Sequence, residues 1–78
     1  MNLKSTTIGA HCFINKGCKI SNCIIYDNCT IGENCILRNC IIGQNTTIGE
    51  NCIMDRCVLG NNVSINSSIH YDNIKIHK

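Results

Sequence analysis

Apolar residues recur along this chain in steps of six, six and five, so the whole pattern repeats every 17 residues. One series runs Ile8, Ile25, Ile42, Leu59 and Ile76. A second runs Ile14, Ile31, Ile48 and Ile65, and a third runs Ile20, Leu37, Met54 and Tyr71. Two residues before each member stands a compact side chain. These are Thr6, Cys23, Cys40, Cys57 and Ile74 in the first series, Cys12, Cys29, Thr46 and Val63 in the second, and Cys18, Cys35, Cys52 and Ile69 in the third. Residues i−2 and i point to one side of an extended strand. Each unit therefore predicts a short strand with two inward side chains and one outward side chain between them. Three apolar stations per fixed period predict a coil with three flat sides that buries its core only by stacking on its neighbours. The chain holds four to five such coils, with rungs about 4.8 Å apart. A helix is excluded, because steps of five and six do not keep to one helical face.

The polar positions repeat as well. Gly9, Gly32, Gly43, Gly49 and Gly60 each follow an inward aliphatic residue, and Asn15 and Asn66 take equivalent places. Asn28, Asn45 and Asn62 form another column, and Asn34 and Asn51 a further one. Glycine and asparagine tolerate left-handed backbone, so these residues are expected to turn the corners. The sequence contains no proline, so no ladder loses a donor.

The outward positions differ from side to side. One face presents Thr7, Ile24, Ile41, Val58 and Lys75; the next presents Phe13, Thr30, Thr47 and Ser64; the third presents Lys19, Ile36, Ile53 and His70. Two faces thus carry apolar stripes, and these meet at the five-residue corner. An exposed apolar stripe with a polar rim marks a docking surface. Ile24, Ile41, Val58, Ile36 and Ile53 are the candidate interface residues.

Composition bounds the rest. The chain has 78 residues, enough for one thin-cored domain, read as 1–78. Both ends of the stack present an unpaired rung, so it is expected to be the C-terminal part of a longer protein. The net charge of +2 is scattered and the aromatics are only Phe13, Tyr26 and Tyr71, which gives no nucleic-acid footprint. No apolar run has membrane-spanning length and no signal-peptide pattern opens the chain, so no membrane partner is expected. All eight cysteines fall in the compact inward slot. They are expected to be reduced core thiols acting as small hydrophobes, which favours a cytoplasmic protein. Their gaps lack the C-x-x-C pairs of a zinc site. The Asn-x-Ser/Thr triplets at Asn28, Asn45, Asn62 and Asn66 follow the corner pattern and need no glycan to explain them.

Candidate chemistry is sparse. His11 falls at a corner, His70 on an outward strand position and His77 near the end, with no partner constellation to orient any of them as a base. Asp27, Glu33, Glu50, Asp55 and Asp72 are placed at corners. The glycines follow the repeat, so none forms a phosphate-cradling loop. No catalytic, cofactor-binding or metal-ligating residue is assigned, and no cofactor is expected in this chain.

The units TTIGAH, CTIGEN, CIIGQN, TTIGEN and CVLGNN resemble hexapeptide repeats over almost the whole chain. The resemblance implies a left-handed parallel β-helix. The segment CKISNCIIYDNCTIGENCILRNCIIGQNTTIGENC is similar to the coils that follow the catalytic domain in sugar-1-phosphate nucleotidyltransferases. IIGQNTTIGENC, VLGNNVSINSSIHY and the terminal His77-Lys78 look most like the C-terminus of the GDP-mannose pyrophosphorylase (mannose-1-phosphate guanylyltransferase) family. Gln44 stands where that family commonly has tryptophan, and Ile76 where a proline commonly precedes the final pair. KISNCIIYDNCTIGENCILRNCIIGQN is about equally similar to the gamma and epsilon subunits of translation initiation factor 2B. Hexapeptide acyltransferases are a more distant relation, since they carry a catalytic histidine that no inserted loop supplies here. The resemblance implies an assembly or regulatory domain whose partners are its own catalytic domain or the other subunits of an oligomer. In both nearer families the nucleotide-binding motifs belong to the preceding domain, so no catalytic residue is carried over onto this chain.

Overall fold

The computed structural model describes residues 2–77. Lys78, the last residue of the His77-Lys78 pair, lies outside them. All regular structure among the described residues is strand, arranged in three parallel sheets. Sheet A holds β1 (Asn2–Lys4), β4 (Lys19–Ser21), β7 (Ile36–Arg38), β10 (Ile53–Asp55) and β13 (His70–Asp72). Sheet B holds β2 (Thr7–Ile8), β5 (Ile24–Ile25), β8 (Ile41–Ile42), β11 (Val58–Leu59) and β14 (Lys75–Ile76). Sheet C holds β3 (Phe13–Ile14), β6 (Thr30–Ile31), β9 (Thr47–Ile48) and β12 (Ser64–Ile65). Each residue lies opposite the one 17 positions on, as Ile25 does Ile42 and Ile42 does Leu59. This is the all-β, three-sided parallel β-helix that the hexapeptide repeats predict.

The core is the set of inward columns. Ile20, Ile25, Ile31, Leu37, Ile42, Ile48, Met54 and Leu59 are fully buried. The columns fade at the ends, where a rung has a neighbour on one side only. Ile8, Ile14, Tyr71 and Ile76 are half-buried, and Ile74, assigned to an inward slot, is 37% exposed. The third column begins one coil earlier than the sequence reading placed it. Leu3 lies opposite Ile20 and opens that column at the exposed end of the stack.

The corners work differently from the sequence expectation. Left-handed backbone sits at Asn22, Asn28, Asn34, Asn39, Asn45, Asn51, Asn62 and Asn73, and also at Ser5, His11, Arg56, Ser68 and Gly17. Asparagine turns most of the corners because its short amide tolerates this region. The glycines after the inward aliphatics have ordinary backbone and serve another purpose. A Cβ on Gly43 would lie 2.5 Å from the carbonyl carbon of Gly60 on the next rung, and one on Gly32 would lie 2.7 Å from that of Gly49. These glycines let rungs touch where the chain bends.

The compact slot also has a rule beyond size. Cys12, Cys18, Cys29, Cys35, Thr46 and Cys52 each direct their S–H or O–H at a corner carbonyl 14 residues on, belonging to Tyr26, Gly32, Gly43, Gly49, Gly60 and Asn66. The distances are 3.0–3.2 Å. Among the described residues no backbone N–H reaches these six carbonyls. At these six positions cysteine and threonine are interchangeable small donors, so the thiols act as more than small hydrophobes. Cys23, Cys40 and Cys57 instead donate to the carbonyl two residues back, and Val63, Ile69 and Ile74 fill the slot with no donor.

Candidate functional site

The outward side chains hold the candidate function, and the strands place them in ladders. Ile24, Ile41 and Val58 stand on successive rungs of sheet B. Ile24 and Ile41 are 42% and 40% exposed, and Val58 is half-buried. Ile36 and Ile53 stand opposite each other on sheet A and are both half-buried. The five-residue corner separates the two stripes. Sheet C presents Phe13, Thr30, Thr47 and Ser64, all exposed. Phe13, 71% exposed, is its one large apolar side chain.

Sheet A carries a second outward column that the sequence reading missed. Its strands are three residues long where those of sheets B and C are two. The residue after the inward aliphatic therefore stays in the strand and points outward. This column runs Lys4, Ser21, Arg38, Asp55 and Asp72. Asp55 and Asp72, expected at corners, are strand residues for this reason. The signal was present in the sequence: these residues also recur every 17 and are all polar, whereas the first two series have glycine or asparagine there in most coils.

Charge along sheet A is segregated. Lys4, Lys19 and Arg38 surround an open depression of about 260 Å³ together with Ser21 and Ile36. The other end of the face carries Asp55 and Asp72. Arg56, at the neighbouring corner, pairs with Asp72 at 2.6 Å. Both of these side chains are largely exposed, so the pair adds little stability. Asp55 accepts a hydrogen bond of 3.3 Å from the Asn39 side-chain amide. A second open depression, of about 320 Å³, lies on the last coil between Asn62, Val63, Ser64, Ile76 and His77.

His11, His70 and His77 are all exposed and lie on different parts of the prism: a corner, sheet A and the last coil. Among the described residues no hydrogen bond joins a histidine to an acid. No three His, Cys, Asp or Glu side chains among the described residues converge on a point that could hold a metal. All eight cysteines are free. Burial pushes the Cys35 thiol up to about 11, and it raises Cys29 and Cys57. Cys40 is raised by its hydrogen bond with Cys23 and by burial, while the same neighbour draws Cys23 down. Burial thus holds Cys29, Cys35 and Cys57 in the thiol form, and the thiolate is the reactive one.

A family model described as the GMPPB C-terminal domain matches residues 4–78. The chain belongs to the GMPPB C-terminal domain family. No curated protein matches it. The GMPPB C-terminal domain match covers all of the stack except the first two residues of β1, and it makes the chain a GDP-mannose pyrophosphorylase-type C-terminal domain of a nucleotidyltransferase-type protein.

Proposed function

We propose that this chain is the positional domain of mannose-1-phosphate guanylyltransferase, the enzyme that makes GDP-mannose. It performs no chemistry itself. It holds its own catalytic domain, or the other subunits of an oligomer, against its apolar stripes and biases their arrangement. The observation that carries this reading is the pair of outward ladders Ile24, Ile41, Val58 and Ile36, Ile53, held on a rigid stack of a family that accompanies nucleotidyltransferases. Apolar ladders rimmed by polar corners lose water favourably when covered. Nucleotidyl transfer needs a phosphate-cradling loop and charge-stabilising groups set around a cleft, and such parts belong to a catalytic domain. Free thiols throughout the core support a cytoplasmic location. The reading involves no cofactor of this chain, no nucleic acid and no membrane.

The test uses the full-length protein with Ile41→Asp and Ile53→Asp together. The solenoid should fold, because both side chains point outward. Sedimentation should show weakened assembly or a loosened catalytic domain, and turnover of mannose-1-phosphate with GTP should fall with it. Unchanged assembly and turnover would remove the docking role. Turnover by the isolated solenoid, lost on His11→Ala or His70→Ala, would replace the reading with a catalytic one.

A further inference from the structure

The docking role assigned above uses the isoleucines of sheets A and B and leaves the cationic end of sheet A unexplained. We infer that the depression at this end is a binding site for a small anion built on a diphosphate group. Its frame follows from the ladder register. Lys4, Ser21 and Arg38 stand on three successive rungs of the second outward column, and Lys19 precedes Ser21 by two residues in the same strand. Side chains two apart in a strand share a face. These four polar side chains line the depression of about 260 Å³, with Ile20 and Ile36 as its apolar part.

Each of the four can donate to an anion. Lysine brings an ammonium, arginine a planar fork that meets two oxygens at once, and serine a hydroxyl. Among the described residues no carboxylate pairs with Lys4, Lys19 or Arg38, and the Ser21 hydroxyl has no hydrogen-bond partner. The acids farther along the face are engaged elsewhere. Asp72 pairs with Arg56, and Asp55, beside Arg38 on the next rung, accepts from the Asn39 amide. Cations gathered without a counter-charge repel one another, and a bound anion relieves that repulsion.

The spacing selects the ligand. Rungs lie about 4.8 Å apart, so the backbones of Lys4 and Arg38 are separated by about 9.6 Å, and those of Lys19 and Ser21 by about 6.6 Å along the strand. A single phosphoryl group meets one side of this frame. Two joined groups span it, one facing Arg38 and Ser21 and the other facing the lysines. A long polyanion laid along the stack would run onto Asp55, one rung beyond Arg38, so the site favours a short one. The diphosphate is either free or part of a nucleotide. For a nucleotide, half-buried Ile36 offers apolar surface to the rest of the molecule.

The experiment is a titration of the 78-residue chain in low salt with magnesium-free pyrophosphate, followed by two-dimensional amide NMR. Saturable shifts centred on β1, β4 and β7 are expected, with a dissociation constant of about a millimolar or tighter. Inorganic phosphate and succinate should bind about tenfold more weakly, since neither offers two phosphoryl groups to the paired donors. Arg38→Ala and Lys19→Ala should each weaken pyrophosphate by about threefold or more, the loss of a charged hydrogen bond at an exposed site. Lys75→Ala, on sheet B, should change nothing. Circular dichroism checks that every variant is folded. GDP, titrated in parallel, identifies the source: tighter binding than pyrophosphate marks a nucleotide, and equal or weaker binding a free diphosphate. Absence of saturation, shifts spread over every lysine and arginine, phosphate or succinate binding as well as pyrophosphate, or unaltered affinity in Arg38→Ala would each overturn the inference. None of these results bears on the apolar stripes, whose docking the full-length variant above reads separately.

Discussion

A cysteine in this core is defined by what its hydrogen does. Cys29 is fully buried and gives its S–H to the Gly43 carbonyl at 3.0 Å, as Thr46 gives its hydroxyl to Gly60 at 3.0 Å. Cys29→Thr should therefore leave stability nearly unchanged. Cys29→Val, of similar volume, strands a buried carbonyl and should cost about 1–2 kcal/mol in urea unfolding. Size was legible in the sequence, because cysteine shares its slot with threonine and valine. The donor role of Cys29 was not, because it depends on a carbonyl in the next coil. The same burial sets a pH limit. Cys35 rises from 9.0 to about 11, and Cys29 and Cys57 also rise. Well below pH 9 these three thiols are protonated in both states and their contribution to stability is level. Above it the unfolded chain releases protons that the folded chain keeps, so stability falls as pH climbs through the folded values. The urea midpoint should be lower at pH 10.5 than at pH 8, and Cys35→Thr should flatten that slope.

A strand here has only two or three residues, so its stability comes from its neighbours along the ladder. The 17-residue period made the inward columns, the three sheets and the apolar stripes legible from the sequence alone. Less legible was how a corner closes. The glycines were read as conformational residues, whereas asparagine takes the left-handed positions and glycine provides clearance between rungs. Nothing in a single repeat distinguishes the two uses, because the clash lies with the adjacent coil. Gly43→Ala and Gly60→Ala separate them. A Cβ on Gly43 meets the Gly60 backbone at 2.5 Å, while one on Gly60 first meets a neighbour at 3.4 Å. Thermal melts should show Gly43→Ala losing about 1–3 kcal/mol, the usual range for overpacking, and Gly60→Ala losing much less. The second outward column of sheet A was hidden for a related reason. Asp55 and Asp72 read as corner residues, whereas the strands of that sheet are longer than those of the other two and take them in.

On the scale of the whole molecule, the ladder registers all connect residues separated by the same interval, as Leu3 with Ile20, Ile31 with Ile48 and Met54 with Tyr71. The entropy of closing a loop depends on its length, so each coil closes at the same entropic cost as the last, wherever it lies. The search that limits folding of most β proteins, for partners far away along the chain, is replaced by a repeated local step. Folding can start at any pair of adjacent coils and spread outward like a zipper. The rate should then depend on how readily the first two coils meet, and hardly on how many follow. Duplicating residues 27–43 inserts one whole coil in register. Stopped-flow refolding of that variant should proceed at close to the parent rate, while its melting temperature rises because one more fully stacked rung has been added. A marked slowing would mean that the ends of the stack must find each other before the middle forms, and that the coils do not assemble by contact with their neighbours alone.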